Sequence, residues 1–241
     1  MRRISIVNAA TTAMIVVMIA VMIAVVPAVA GCARGPAPGP ALSPAPGGPG
    51  GSAEPATVDD FAALVRAGLN VDYEPTRSPE DAVAQADLIV VGTVTDVTDG
   101  VTIEYEDPAL TSRGLGGYVT FTVSVDRVIS GDGSLVASGV VHAQVLKSPA
   151  TSTRDLAAAN PIPDVLLVLD EWQPTDGTVV PPDQLASSAM VLFPRPDGLW
   201  LQTSPEDGMV GLYTAPEELG APWGDPRTLD DLTDALSGSL G

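Results

Sequence analysis

The stretch Asp87-Leu88-Ile89-Val90-Val91-Gly92-Thr93-Val94-Thr95-Asp96-Val97 constrains the chain most. Leu88 to Val91 is an unbroken apolar run, too short for a helix to bury and suited to a strand covered on both faces. From Thr93 onward apolar and polar residues alternate, as on a half-buried strand. Gly92 stands where one pattern gives way to the other. A glycine inside a strand marks a bulge or a sharp bend, and a strand bent there can serve two sheets of a small closed barrel.

The chain in front of this stretch has a different character. Arg2 and Arg3 are followed by a run from Ala13 to Val26 without a charged residue, and then by Val29-Ala30-Gly31-Cys32. This is the layout of an export signal, and its last four residues resemble the bacterial lipobox. The resemblance implies cleavage between Gly31 and Cys32 and acylation of the Cys32 sulfur, which anchors the protein to membrane lipid. Arg2-Arg3 also fits twin-arginine export, but Ser5 stands where that signal prefers a large apolar residue, so the general route is favoured. Cys32 is the only cysteine, so the acylated chain has no disulfide and depends on packing for stability. The implied location is the extracytoplasmic face of the cell membrane, and ten arginines against one lysine suggest a high-GC Gram-positive source.

Residues 32–55 read as a linker. Thirteen of the twenty-three residues from Ala33 to Pro55 are Gly or Pro, and none is aromatic. Such a composition cannot bury enough apolar surface to order itself, and it spans on the order of 30–70 Å between coil and polyproline extension. Residues 56–241 then form one domain of roughly 185 residues, enough for a substantial core.

Within that domain the spacing predicts a helix from Thr57 to Leu69, with Phe61, Leu64, Val65 and Leu69 on its apolar face. A second follows Ser78-Pro79, with Ala82, Val83 and Ala86 inward. Asp99-Gly100 signals a hairpin turn into the alternating segment Val101 to Glu106. Asp107 to Gly117 is a loop. Tyr118 to Ile129 and Ser138 to Leu146 are long alternating strands, with one helical turn at Arg154 to Ala159 after them. Val165 to Leu169 is a buried strand, and Trp172 to Ser188 a proline-bearing insertion. Met190 to Phe193 and Leu199 to Thr203 read as a hairpin across Pro194-Arg195-Pro196-Asp197-Gly198. A short strand at Met209 to Tyr213 and a helix capped at Thr228, with Leu229, Leu232 and Leu236 on one face, complete the chain.

Six or more short strands with a bent first strand suggest a barrel or sandwich. The segments Ala86 to Val94, Phe121 to Gly131 and Val165 to Leu169 resemble bacterial OB-fold domains of the TIMP-like kind, over about Ser78 to Thr214. The resemblance implies a mainly β fold, a small OB-fold-like Greek-key β-barrel with flanking helices at both ends. In the animal inhibitors of this fold a free N-terminal cysteine reaches a protease zinc. Here Cys32 is acylated and separated from the barrel by linker, which removes a protease-inhibitor reading.

Catalysis has little to work with. His142 is the only histidine, so any Ser-His or Cys-His site would need it. No Gly-x-Ser-x-Gly motif occurs, a lipid-blocked Cys32 is no nucleophile, and a lone histidine beside Gln144 on a strand is more often a half-exposed strand residue than a catalytic base. A zinc site would have to be built almost wholly from carboxylates, and no Asp-x-Asp-x-Asp-Gly calcium loop is present. Neither metal nor cofactor is expected. Paired carboxylates leave a hydrolase as a distant third possibility. The candidate interaction residues are Glu104, Glu106 and Asp107 at one strand end, Trp172 in the insertion, and Trp200, whose ring should face opposite to Leu199 and Leu201 as a candidate exposed anchor. Loss of Arg2 and Arg3 with the signal leaves nine bases against thirty acids, a net charge near −21. That charge excludes nucleic acid and favours a protein partner with a basic surface. Two functions follow as expectations: a membrane-anchored binding module, or a carrier of a small apolar ligand.

Overall fold

The computed structural model describes residues 57–105, 117–171, 177–185 and 189–240. The segment read as a lipobox, with Gly31 and Cys32, the stretch read as a linker, Glu106, Asp107 and Trp172 lie outside them. Among the described residues no helix is long and apolar enough to cross a membrane.

The elements in chain order are α1 (Val58–Arg66), α2 (Pro79–Gln85), β1 (Leu88–Asp99), β2 (Thr102–Tyr105), β3 (Tyr118–Gly131), β4 (Val140–Leu146), α3 (Thr153–Ala159), β5 (Asp164–Asp170), β6 (Gly177–Val180), β7 (Val191–Gln202), β8 (Val210–Gly211) and α4 (Leu229–Gly238). β1 lies between β3 and β5, both antiparallel to it. β3 continues to β4, and β5 to β7, again antiparallel. A parallel pairing of β4 with β7, His142 opposite Val191 and Ala143 opposite Leu192, closes the ring. The result is a closed five-stranded barrel in the order β1-β3-β4-β7-β5, the OB-fold-like Greek-key arrangement expected, with helices before and after it.

The apolar run of β1 is buried on both faces, as its composition requires. Leu88, Val90 and Val94 point into the barrel with Phe121, Val123, Leu167 and Leu201. Ile89 points outward into a second core with Leu166, Trp200, Leu232 and Leu236. The ladder to β3 slips between Ile89 and Val90, between Val91 and Gly92, and between Val94 and Asp96. These irregularities turn β1 around the barrel.

The helices follow their caps. Thr57 accepts from the Asp60 amide at 3.1 Å and Asp60 reaches back to the Thr57 amide, a capping box. Val58, Phe61, Ala62 and Val65 form the buried face of α1, and Phe61 meets Phe121 with ring centroids 5.7 Å apart. Leu64 is exposed and Leu69 follows the helix end, contrary to the sequence expectation, because α1 is one turn shorter and rotated toward Val58. Ser78 caps α2, and Thr228 with Asp231 makes a second capping box at α4. Leu229, Leu232 and Leu236 seal the outer core as their spacing predicts.

Three strand expectations are corrected. Asp99-Gly100 is no hairpin turn. β1 stays paired with β3 to Asp99, the Gly100 amide donates to Tyr118 O, and a Cβ on Gly100 would stand 2.5 Å from the Tyr118 carbonyl carbon. Glycine is needed there for close approach. The Pro194 to Gly198 segment is no hairpin either. β7 runs through it, with Pro194 opposite Leu169 and Leu199 opposite Leu167, so the extra residues bulge out of one continuous strand. The expected last strand, Met209 to Tyr213, is reduced to Val210–Gly211.

Candidate interaction surface

Residues from two separate segments meet outside the barrel. β2 pairs antiparallel with β6, Thr102 opposite Val180, Ile103 opposite Val179, Glu104 opposite Thr178 and Tyr105 opposite Gly177. This two-stranded ribbon joins the connection between β1 and β3 to the connection between β5 and β7. Alternation sorts its faces: Thr102, Glu104, Thr178 and Val180 are exposed, while Ile103, Tyr105 and Val179 are half-buried.

The ribbon is moored at its root by a buried polar triad on the outer face of β3 and β4. The Val101 amide donates to Gln144 Oε1 at 2.9 Å, Gln144 Nε2 donates to Thr120 Oγ1 at 3.2 Å, and Thr120 Oγ1 donates to Asp99 O at 3.0 Å. Gln144 and Thr120 are fully buried, and these bonds satisfy them.

Beside the roots of the two connections lies a hollow of about 230 Å³, lined by Tyr118, Asp170, Phe193, Pro194, Arg195 and Pro196. Tyr118 and Phe193 meet edge to face at 5.6 Å. Burial, with Tyr105 nearby, pushes the Tyr118 hydroxyl above its usual range. Arg195 sits with its Nε 2.9 Å from Asp170 Oδ2, and its Nη1 and Nη2 donate to Gln85 Oε1 at 3.0 Å and Gln85 O at 3.2 Å. Burial raises the Asp170 carboxyl above the ordinary carboxylate range, and the Arg195 guanidinium opposes that shift without cancelling it. The pair braces β5, β7 and the end of α2.

A larger groove of about 630 Å³ runs along α1, α3 and the loop after β7. Val58, Ala158, Ala159, Pro161 and Val210 give it apolar walls, with Asp59 and Asp207 among its polar members.

Trp200 does face opposite to Leu199 and Leu201, but it is not an exposed anchor. Its relative exposure is 1%, it lies in the outer core beneath α4, and its Nε1 donates to Asp197 O at 2.8 Å. The α4 leucines cover the face that strand alternation alone leaves open. Glu104 is exposed on the ribbon. His142 is half-buried on β4, its Nδ1 3.5 Å from Thr122 Oγ1, and burial lowers its pKa. No set of three or more metal-ligating side chains gathers among the described residues. The hollow with Arg195, Asp170 and Phe193 was not anticipated from sequence. Its signal was there: Arg195 is the one base between Arg154 and Arg227, set between two prolines.

No family model matches the chain, and no curated protein matches it significantly.

Proposed function

We propose that the protein is a lipid-anchored, extracytoplasmic binding module whose contact surface is the β2–β6 ribbon and its root. The observation that carries this reading is the β2–β6 pairing. It unites the two segments whose acidic and aromatic residues suggest contact, the one with Glu104 and the one that follows Trp172, in a single two-stranded sheet separate from the barrel sheet. Packing supports a binding role over internal carriage, because Val90, Phe121, Val123, Leu167 and Leu201 are fully buried together in the barrel core. In barrels of this architecture the outer face of the second and third barrel strands and the flanking connections receive ligands, and here those strands are β3 and β4. Net charge directs the ribbon to a partner with a basic surface, and disfavours nucleic acid. Cys32, acylated after removal of residues 1–31, supplies the anchor to membrane lipid. No catalytic step is assigned.

The test is site-specific crosslinking in intact cells with a photoreactive residue at Glu104 and, as control, at Asp234 on α4. A discrete protein adduct from position 104 and none from position 234 supports the module. Equal patterns at both positions overturn it. The groove along α1 and α3 favours the second reading, a carrier, since its volume lies in the range of small-ligand sites. An apolar molecule retained at one per chain and released by Val58→Glu would establish that reading instead.

A further inference from the structure

The groove along α1 and α3 shares no lining residue with the ribbon and has a chemistry of its own. Its volume of about 630 Å³ is that of a small-ligand site. Val58, Ala158, Pro161 and Val210 give it apolar walls, and its charged lining has one sign. Asp59 from the first turn of α1 and Asp207 from the loop after β7 both face it, and no Lys, Arg or His is among the described residues that line it. Asp207 Oδ2 accepts from Thr203 Oγ1 at 3.1 Å, and Thr203 lines the same groove, so a neighbouring hydroxyl holds the carboxylate in place. Among the described residues neither Asp59 nor Asp207 is in an ion pair. Arg227, whose carbonyl receives the Met209 amide just past Gly208, has its guanidinium on Asp225 at 2.7 Å.

The two helix ends at the groove reinforce that sign. α3 finishes there, at Ala158, Ala159 and Asn160, with no base in its last turn. The free carbonyls of a helix end carry partial negative charge and attract a cation. α1 begins there, but its positive end is already answered. Thr57 and Asp60 close the capping box, and Asp59 and Asp60 stand in the first turn. Among the described lining residues no aromatic ring is present to receive a cation on its face. The polar lining therefore recognises a cation through hydrogen-bond acceptors.

We propose that this groove binds a small organic amine, with its apolar body against Val58, Ala158 and Val210 and its protonated amino group toward Asp59, Asp207 and the C-terminal end of α3. Acceptors need N–H donors, so a primary ammonium is preferred over a quaternary one of the same charge. The carboxylates repel an acid with the same body, which makes charge the basis of selection. The site adds to the binding-module reading and does not rest on it.

The probe is 4-phenylbutylammonium, titrated calorimetrically into the full chain in detergent and corrected against protein-free micelles. 4-Phenylbutanol and 4-phenylbutanoate keep the body and change the charge, and the N,N,N-trimethyl derivative keeps the charge and removes the donors. The proposal requires one amine per chain, bound about tenfold more tightly than the acid, with the alcohol and the trimethyl derivative between them. Asp59→Asn and Asp207→Asn should each weaken the amine about two- to fivefold and leave the alcohol unchanged, a split that a merely structural loss does not produce. Ala158→Trp, at an exposed position of α3 that lines the groove, should abolish binding, whereas Ala157→Trp, exposed one residue earlier and outside the lining, should not. Equal affinity for amine, alcohol and acid overturns the proposal, as does full binding in Ala158→Trp. So does the absence of binding by all four probes at millimolar concentration. Each of these outcomes leaves the module reading to the crosslinking from position 104.

Discussion

Gly92 in β1 lies so close to Ser124 in β3 that a Cβ on it would stand 2.1 Å from the Ser124 carbonyl oxygen. Its φ is not in the left-handed region, so glycine is required by proximity to the neighbouring strand. The contact falls where the β1–β3 ladder slips, between Val91 and Gly92. Gly92→Val must push the two strands apart at the bend. Overpacking of this kind costs about 1–3 kcal/mol, read as a lower urea midpoint with unchanged slope. An unchanged midpoint refutes the role assigned to Gly92.

Trp200 belongs to the outer core, and its replacement acts on stability. Trp200→Ala removes a fully buried ring beneath α4 and should cost about 3–5 kcal/mol. Trp200→Phe keeps most of the packing and loses the bond to Asp197 O, for about 1 kcal/mol. Denaturant titration of both variants checks the ordering. Crosslinking from position 104 should persist in Trp200→Phe.

The Arg195–Asp170 pair gives a pH-dependent variant. The Asp170 carboxyl has its folded pKa raised by burial, so ionised Asp170 costs stability above that pKa, and the cost is relieved as pH falls and the group protonates. Arg195→Met removes the opposing charge and raises that pKa further. The variant should lose about 1–3 kcal/mol at neutral pH, and its deficit should shrink at acid pH. Melting curves of both proteins from pH 7 down to pH 4 measure the difference. A deficit constant across that range contradicts the assignment.

Gln144→Leu tests the mooring of the ribbon. It leaves the Val101 amide without its buried partner, while the Thr120 hydroxyl keeps its bond to Asp99 O, at about 1–3 kcal/mol for an unsatisfied buried group. Hydrogen exchange should accelerate at β2 and β6 more than at β5. Uniform acceleration would show that the triad serves the barrel as a whole.

The proposed membrane address rests on Cys32. Intact-mass measurement of protein extracted from membranes should give a chain beginning at Cys32 with a lipid adduct, and Cys32→Ser should release it from the membrane fraction. A mature N-terminus elsewhere, or an unmodified Cys32, contradicts the lipobox assignment.

What the sequence determined by itself was local. Thr57, Ser78 and Thr228 start their helices because a side-chain oxygen within reach of a free amide acts over three residues. The double-faced burial of Leu88 to Val91 and of Val165 to Leu169 follows from apolar runs that no single core face could absorb. Gly92 was legible as a break in period. Partnership was not legible, because backbone pairing carries no sequence label and joins residues far apart. Ile103 meets Val179 rather than a hairpin neighbour, and the Pro194 to Gly198 turn residues bulge from one strand because β5 pairs on both sides of them. Trp200 shows the same limit from the side of burial. Alternation decided that it opposes Leu199 and Leu201, but only the docking of α4, whose leucines lie some thirty residues further on, decided that the opposite face is interior. The ribbon is the clearest case: β2 alternates in sequence, but β6 lies in the stretch that reads as a proline-bearing insertion, and the surface exists only where two connections, separated by three barrel strands, find each other.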